Sequence, residues 1–181
     1  MSRRDERARV IAWSAAAHGA AALTALAVFT ALADACAARA ADSTAPPAYP
    51  QGFASFQGNC AVCHGPAGAG LPALAPPLLS YPARYAGSTE GRRQLALTVL
   101  YGMIGDITVD DKHYNFQMPE FSRLDDAQLA ATLNFIVFDL GHAPADVKPV
   151  SEAEIAAERA RAMDGAAVRE HRKSVAPTVS P

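Results

Sequence analysis

The sequence predicts an all-α domain preceded by a hydrophobic helix at the amino terminus. Apolar residues recur at helical spacing, capping residues stand in front of several such segments, and no segment alternates convincingly like a strand. The chain has 181 residues, half of them apolar. This length suits one compact domain with additional segments at both ends.

The amino terminus has the layout of an export signal. Four arginines between residues 3 and 9 precede an uncharged stretch over residues 10–33, and a small-x-small sequence, Ala38–Ala40, follows. A helix over 10–33 is also just long enough to cross a bilayer. Two hypotheses therefore stay open for residues 1–41, a cleaved signal peptide or a retained membrane anchor. Both place the rest of the chain in the periplasm.

A linker over residues 42–50 precedes the predicted domain, which spans residues 51–149 and begins with a helix. Three prolines within residues 42–50 disfavour a helix there. Gln51 to Ala61 reads as a short helix with phenylalanines on one face. Residues 64–87 are rich in proline and glycine, which predicts a loop with little regular structure.

The middle of the domain contains a second predicted helix. Ser88 or Thr89 can cap a helix over residues 90–101, because their side chains accept hydrogen bonds from the first free backbone N–H groups. The segment that follows is irregular, and a small hairpin is expected around Asp110–Asp111.

Two capping boxes mark the remaining helices. Asp125–Gln128 stands in front of the clearest helix, in which apolar residues recur at helical spacing up to the cap Gly141. Ser151–Glu154 opens a charged helix to about Met163. Residues 150–181 are therefore predicted to be a charged helix and a disordered tail.

Composition disfavours one class of partner. Beyond residue 40 the chain carries eleven basic and fifteen acidic residues, a net charge of −4. A nucleic-acid-binding protein is expected to show a basic patch, so no nucleic-acid partner is predicted.

The sequence Cys60-Ala61-Val62-Cys63-His64 carries the main chemical signal. C-x-x-C-H is the attachment signature of c-type haem. Two cysteines three residues apart lie on nearly the same face of a helical turn, so both thiols can reach the vinyl groups of one porphyrin edge. His64 follows directly and can bind the iron. The motif predicts one covalent haem c with its iron, held by Cys60, Cys63 and His64.

Two other sites would use the same residue types. A structural zinc site needs four ligands, usually including a second cysteine pair, and the remaining cysteine, Cys36, lies alone near the amino terminus. A thioredoxin-like dithiol needs a strand in front of the motif, where this chain has a proline-rich linker. Both are weaker hypotheses than haem.

A haem iron that only shuttles electrons needs a sixth ligand. The candidates are Met103, His113, Met118, His142, Met163 and His171. Met118 is preferred because it lies outside the predicted helices and is followed by Pro119, which restrains its backbone. An ordinary packed methionine is the alternative for the same residue.

The segment 105–138 contains I-T-V, Y-N, M-P-E-F and L-D-D, followed by an amphipathic helix. This run resembles the C-terminal half of bacterial class I cytochromes c, in particular monohaem subunits and domains that serve dehydrogenases. The resemblance covers residues 52–159 and includes a short element after the last helix, Val150 to Arg159. It departs at Phe138–Gly141, where a Trp-Gly pair is common in the family.

The resemblance implies a class I cytochrome c fold, with three to four core helices around one haem. Met118 becomes the distal iron ligand opposite His64. A carbonyl of the Pro76–Leu78 loop is expected to accept the Nδ1–H of His64. The first and last helices of the family cross, which places Phe56 near Phe135 or Phe138.

The implied function is electron transfer with His/Met ligation, between a periplasmic dehydrogenase and the respiratory chain. The protein is then a carrier with a redox partner protein and no catalytic residues of its own. The alternative is a haem enzyme or gas sensor in which the sixth ligand, Met118, is labile.

Overall fold

A computed structural model describes residues 46–175, and this part of the chain is mainly helical. Its elements are α1 (Pro50–Asn59), α2 (Ala61–His64), α3 (Thr89–Tyr101), β1 (Ile107–Val109), β2 (Lys112–Tyr114), α4 (Asp126–Asn134), α5 (Glu152–Arg159) and α6 (Gly165–Ser174). A 3-10 turn spans Pro82–Tyr85, and a π-helix, Phe135–Leu140, continues α4. The predicted signal or anchor, residues 1–41, lies outside the described residues. No helix within 46–175 is long and apolar enough to cross a membrane.

Helices α1 and α4 cross at very short distance, and Gly52 makes this possible. A Cβ atom on Gly52 would lie 2.1 Å from the Ala131 carbonyl oxygen. The ring centroids of Phe56 and Phe135 are 5.3 Å apart at this crossing, so the predicted contact between the first and last core helices is confirmed. Phe56 is fully buried. The crossing fixes the end of α1 that leads into the cysteine motif.

The π-helix places Phe138 and Asp139 against the start of the domain. The rings of Tyr49 and Phe138 stack at 5.5 Å. The Asp139 carboxylate accepts hydrogen bonds from the N–H groups of Ala48 (2.7 Å) and Tyr49 (3.0 Å). These N–H groups precede α1, where Tyr49 offers no side-chain cap. Phe138 and Asp139, which stand near the position of the Trp-Gly pair common in the resembling family, therefore hold the segment that leads into α1.

Changing Gly52 to Ala is expected to destabilise the protein strongly. The added methyl group would collide with backbone of α4, and overpacking of this kind costs about 1–3 kcal/mol. Gly58→Ala on the same helix is the matched control, because its Cβ would meet nothing within 4 Å. Thermal unfolding of both variants tests the crossing. Equal midpoints for the two would contradict it.

The helix caps predicted from the sequence are present. Ser88 Oγ accepts from the N–H of Gly91 (3.0 Å) at the start of α3. Capping boxes form at Asp125, with Gln128, and at Ser151, with Glu154. The predicted hairpin is formed by β1 and β2, which pair antiparallel in the register Ile107–Tyr114, Thr108–His113 and Val109–Lys112.

The prediction of one charged helix reaching Met163 is wrong. Helix α5 ends at Arg159, and the separate helix α6 follows after a short break. The physical reason is Asp164, whose Oδ1 accepts from the N–H of Ala167 (2.8 Å) and starts the new helix. Val168 of α6 is fully buried against Leu97 and Met103, so α6 belongs to the core. Residues 176–181 of the predicted tail lie outside the described residues.

Arg92 of α3 forms hydrogen bonds and an ion pair with the start of α5 and the segment before it. Its Nε and Nη2 donate to the two carboxylate oxygens of Glu154 at 2.6 and 2.8 Å. The same guanidinium donates to the carbonyls of Lys148 (2.5 Å) and Pro149 (2.8 Å). Arg92, together with the bonds from Ser151, lowers the pKa of Glu154 to about 2.

Acid is expected to weaken this connection between pH 4.5 and pH 2. Because folding depresses the pKa of Glu154, its contribution is present above the unfolded value, 4.5, and is lost as pH falls towards about 2. The carboxylate is partly exposed, so the contribution is about 1 kcal/mol after screening by water. Unfolding free energies of wild type and Glu154→Gln should converge in this range. A gap that stays constant from pH 6 to pH 2 would contradict the assignment, and Glu152→Gln is the exposed control.

Candidate haem site

The cysteine motif lies on a single helical turn after α1. Cys60 joins α1 to α2, and the N–H of His64 donates to the Cys60 carbonyl at 2.9 Å. Cys60 is buried, Cys63 is half-buried, and neither forms a disulfide within residues 46–175. Burial raises the pKa of Cys60 to about 11, with Cys63 adding to the effect and Arg123 opposing it.

The His64 ring is held in one tautomer. Its Nδ1 lies 2.8 Å from the Pro76 carbonyl oxygen, which can only accept, so Nδ1 carries the proton. The lone pair is then on Nε2, the atom available to a metal. Burial lowers the pKa of His64, and the bond to Pro76 opposes this only in part. The lowered pKa favours the neutral imidazole, the form in which a histidine can bind a metal. The carbonyl expected from the Pro76–Leu78 loop is that of Pro76.

A cavity of about 340 Å³ opens beside the motif. This volume is in the usual range for ligand sites, about 300–1,000 Å³. The lining is mostly aliphatic and aromatic and comes from segments spread between Asn59 and Arg172, but not from α5. It includes Cys60, Cys63, His64, Leu74, Pro76, Leu78, Leu95, Val99, Met103, Ile107, Val109, Phe116, Met118, Phe121, Leu133 and Ile136.

Two of the six candidate sixth ligands line the cavity, Met103 and Met118. Their backbones form an antiparallel bridge, with the N–H of each donating to the carbonyl of the other at 3.1 and 2.9 Å. Directly opposed residues of such a bridge carry their side chains on the same face. The two thioethers are therefore neighbours at one wall of the cavity.

The other four candidates lie elsewhere. His113 is exposed on β2 and its Nδ1 is 3.3 Å from Thr108 Oγ1. His142 is exposed, and Met163 packs at the edge of the cluster around Val168. His171 hydrogen-bonds Gln94. None of the four lines the cavity that the described residues form.

Gly102 allows the Met118 segment to approach the end of α3. Its φ of 71° lies in the left-handed region, and a Cβ there would be 2.3 Å from the Met118 carbonyl oxygen. A side chain at this position would push Met118 and Pro119 away from the cavity wall.

The lining also contains polar side chains that were not selected from the sequence. Asn59 and Arg123 lie beside the cysteine motif, Tyr114 and Gln117 lie before Met118, and the others are Tyr81, Tyr85, Gln94, Thr98 and Arg172. The hydroxyls of Tyr81 and Tyr85 are 2.8 Å apart, and Gln94 is buried with Nε2 donating to Thr98 Oγ1 at 3.0 Å. Tyr81 and Tyr85 are contributed by the proline-rich loop, Gln94 and Thr98 by α3, and Arg172 by α6. No local motif marks them, because only the tertiary fold brings these elements together.

Comparison with known proteins decides the family. The cytochrome c family profile matches residues 50–137. The chain is 35% identical to cytochrome c-552 of Thermus thermophilus over 124 residues, covering 67% of this chain and 95% of that protein. The chain belongs to the cytochrome c family. A second cytochrome c-552, from a particular strain of the same species, matches at the same identity and is covered over 84% of its length.

Membership of the cytochrome c family identifies the cofactor and the activity of the protein. The protein carries covalently bound haem c with its iron, and it is an electron carrier that works with a redox partner protein. The residues in the cavity fit this group: two thiols, an imidazole with a free Nε2, and an apolar wall large enough for a planar macrocycle. Helices α5 and α6 lie outside residues 50–137, the segment that the family profile matches.

Proposed function

We propose that Cys60 and Cys63 attach the haem through two thioether bonds and that His64 is the proximal iron ligand. All three side chains line one cavity, and the helical turn of α2 presents them together. The Pro76 carbonyl orients the imidazole and makes it a stronger electron donor to iron.

Met118 is the proposed distal ligand. Its thioether lies at the cavity wall and is half-buried, between the packing clusters around Leu100 and Leu97. The neighbouring Met103 is buried against Leu97 and Val168, where its side chain already fills the core between α3 and α6. Pro119 restrains the backbone that presents Met118. These features favour Met118 over Met103.

The function that this site supports best is the transfer of single electrons. Bound haem c supplies a one-electron couple, and imidazole with thioether ligation raises its potential. The chain closes both axial positions, excludes water with apolar side chains, and holds the ligands on packed elements so that little moves between oxidation states. The observation that carries this proposal is the cavity, which His64 and Met118 both line.

We propose that this transfer takes place in the periplasm, from a dehydrogenase towards the respiratory chain. The arginine-rich start and the uncharged stretch over residues 10–33 support export, by a cleaved signal or a retained anchor. The likeness of residues 105–138 to cytochromes that serve dehydrogenases supports the partner.

Exposure of the reduced holoprotein to carbon monoxide tests this function. With Met118 bound, iron has no open position, and the absorption spectrum should stay unchanged over minutes. Met118→Ala should bind carbon monoxide rapidly and serves as the positive control. Rapid binding by the wild-type protein would instead support a haem enzyme or gas sensor with a labile sixth ligand.

A further inference from the structure

The polar part of the cavity lining includes a cation from the C-terminal helix. Arg172, in the last turn of α6, is half-buried and lines the cavity. Its Nη2 donates to the Thr108 carbonyl at 3.1 Å, and its guanidinium carbon lies 5.2 Å from the centre of the Tyr81 ring. Arg172 is thereby held at the cavity.

Arg172 has no carboxylate partner within 4 Å among residues 46–175. A carbonyl and an aromatic ring do not neutralise its charge, and burial lowers the pKa of its guanidinium. A half-buried charge without a counter-ion is costly. An anion bound in the cavity would remove this cost.

The charged groups around Arg172 are already paired. Arg84, which also lies over Tyr81, forms an ion pair with Asp110 at 3.0 Å. His171, beside Arg172 on α6, hydrogen-bonds Gln94 at 2.6 Å and lies 3.5 Å from Glu90.

Arg123 also lines the cavity without a carboxylate partner among residues 46–175, but it donates to Asn59 Oδ1 next to the cysteine motif. The vinyl groups that the cysteines would bind lie on the porphyrin edge opposite the propionates, so Arg123 is on the wrong side for them. Arg172, beside Tyr81, is therefore the unpaired cation that a propionate can meet.

We propose that α6 completes the haem site and that Arg172 pairs with a haem propionate. Haem brings two carboxylates and no other charged substituent, and Arg binds carboxylates well through its planar fork of donors. Tyr81 and Tyr85 share one hydrogen bond, which leaves one hydroxyl hydrogen to donate to the same anion. The proposal rests on the haem-binding site described under Proposed function. It gives a role to α6, which lies outside the segment that the family profile matches.

The reduction potential of purified holoprotein tests this role. A nearby cation favours ferrous over ferric iron. Arg172→Gln should therefore shift the ferrous–ferric equilibrium roughly tenfold towards ferric iron, which lowers the reduction potential by about 59 mV for one electron. Arg172→Lys, which keeps the charge, should restore most of the shift. Lys173→Gln is the matched control, because it removes one charge from the same turn while Lys173 pairs with exposed Glu170.

A potential for Arg172→Gln that equals wild type or Lys173→Gln would overturn the proposal. Should Arg172→Gln not accumulate, a crystal structure of wild-type holoprotein decides: a guanidinium nitrogen within 4 Å of a propionate oxygen is expected, and Arg172 facing solvent contradicts it. A denaturing gel stained for haem tests the attachment site separately. Covalent haem on the gel together with an unchanged potential would refute only the role of Arg172, whereas a gel without covalent haem would refute the proposed attachment at Cys60 and Cys63.

Discussion

Replacing both Cys60 and Cys63 by alanine should abolish covalent haem and leave little folded domain. The two thiols are the proposed attachment points, and the group they would hold is the proposed occupant of the apolar cavity of about 340 Å³. Truncating one buried leucine to alanine already costs about 2.7–5.0 kcal/mol, and haem is far larger than a leucine side chain. Small domains have only about 5–15 kcal/mol of stability in total.

The measurement combines the mass of the denatured protein with its circular dichroism. The double variant should have the mass of the bare polypeptide and a strongly reduced helix signal. Val62→Ala is the control, since Val62 stands between the cysteines but is 79% exposed. A well-folded, haem-free double variant would refute the account of the core.

Replacing Met118 by leucine should lower the reduction potential by on the order of 100 mV or more. A thioether stabilises ferrous iron, and leucine keeps the volume of methionine while offering no ligand. Met103→Leu is the matched control, because the two residues are paired across the same backbone bridge. Its potential should change far less.

A redox titration of the two variants distinguishes the two thioethers. The reverse result, with the large shift in Met103→Leu, would assign the iron to Met103 and leave Met118 as a packing residue. Equal, small shifts in both would mean that neither sulfur binds.

Local signals predicted most of the helices correctly. Ser88, Asp125 and Ser151 start their helices where the sequence indicated, because an N-cap acts through backbone groups only two or three residues away. The crossing of Phe56 and Phe135 followed from the family resemblance. Asp164 is the same type of signal, and it marks the helix that was not predicted from the sequence.

Features that depend on long-range contacts could not be predicted from the sequence. Pro76 and Pro77 are equivalent as neighbours in the chain, and only the folded loop brings the Pro76 carbonyl to His64. The pairing of Met103 with Met118 depends on the approach of two irregular segments at Gly102. Arg172 lies far along the chain from the cysteine motif, beyond Met163, where the predicted charged helix ended and only a disordered tail was expected.

The absorption spectrum of the oxidised holoprotein tests most directly whether His64 and Met118 hold the iron from its two sides. A sulfur-to-iron charge-transfer band is expected at the far-red end of the spectrum for wild type and Met103→Leu, and it should be absent in Met118→Leu. A wild-type protein without this band, or a Met118→Leu variant that keeps it, would contradict the assignment.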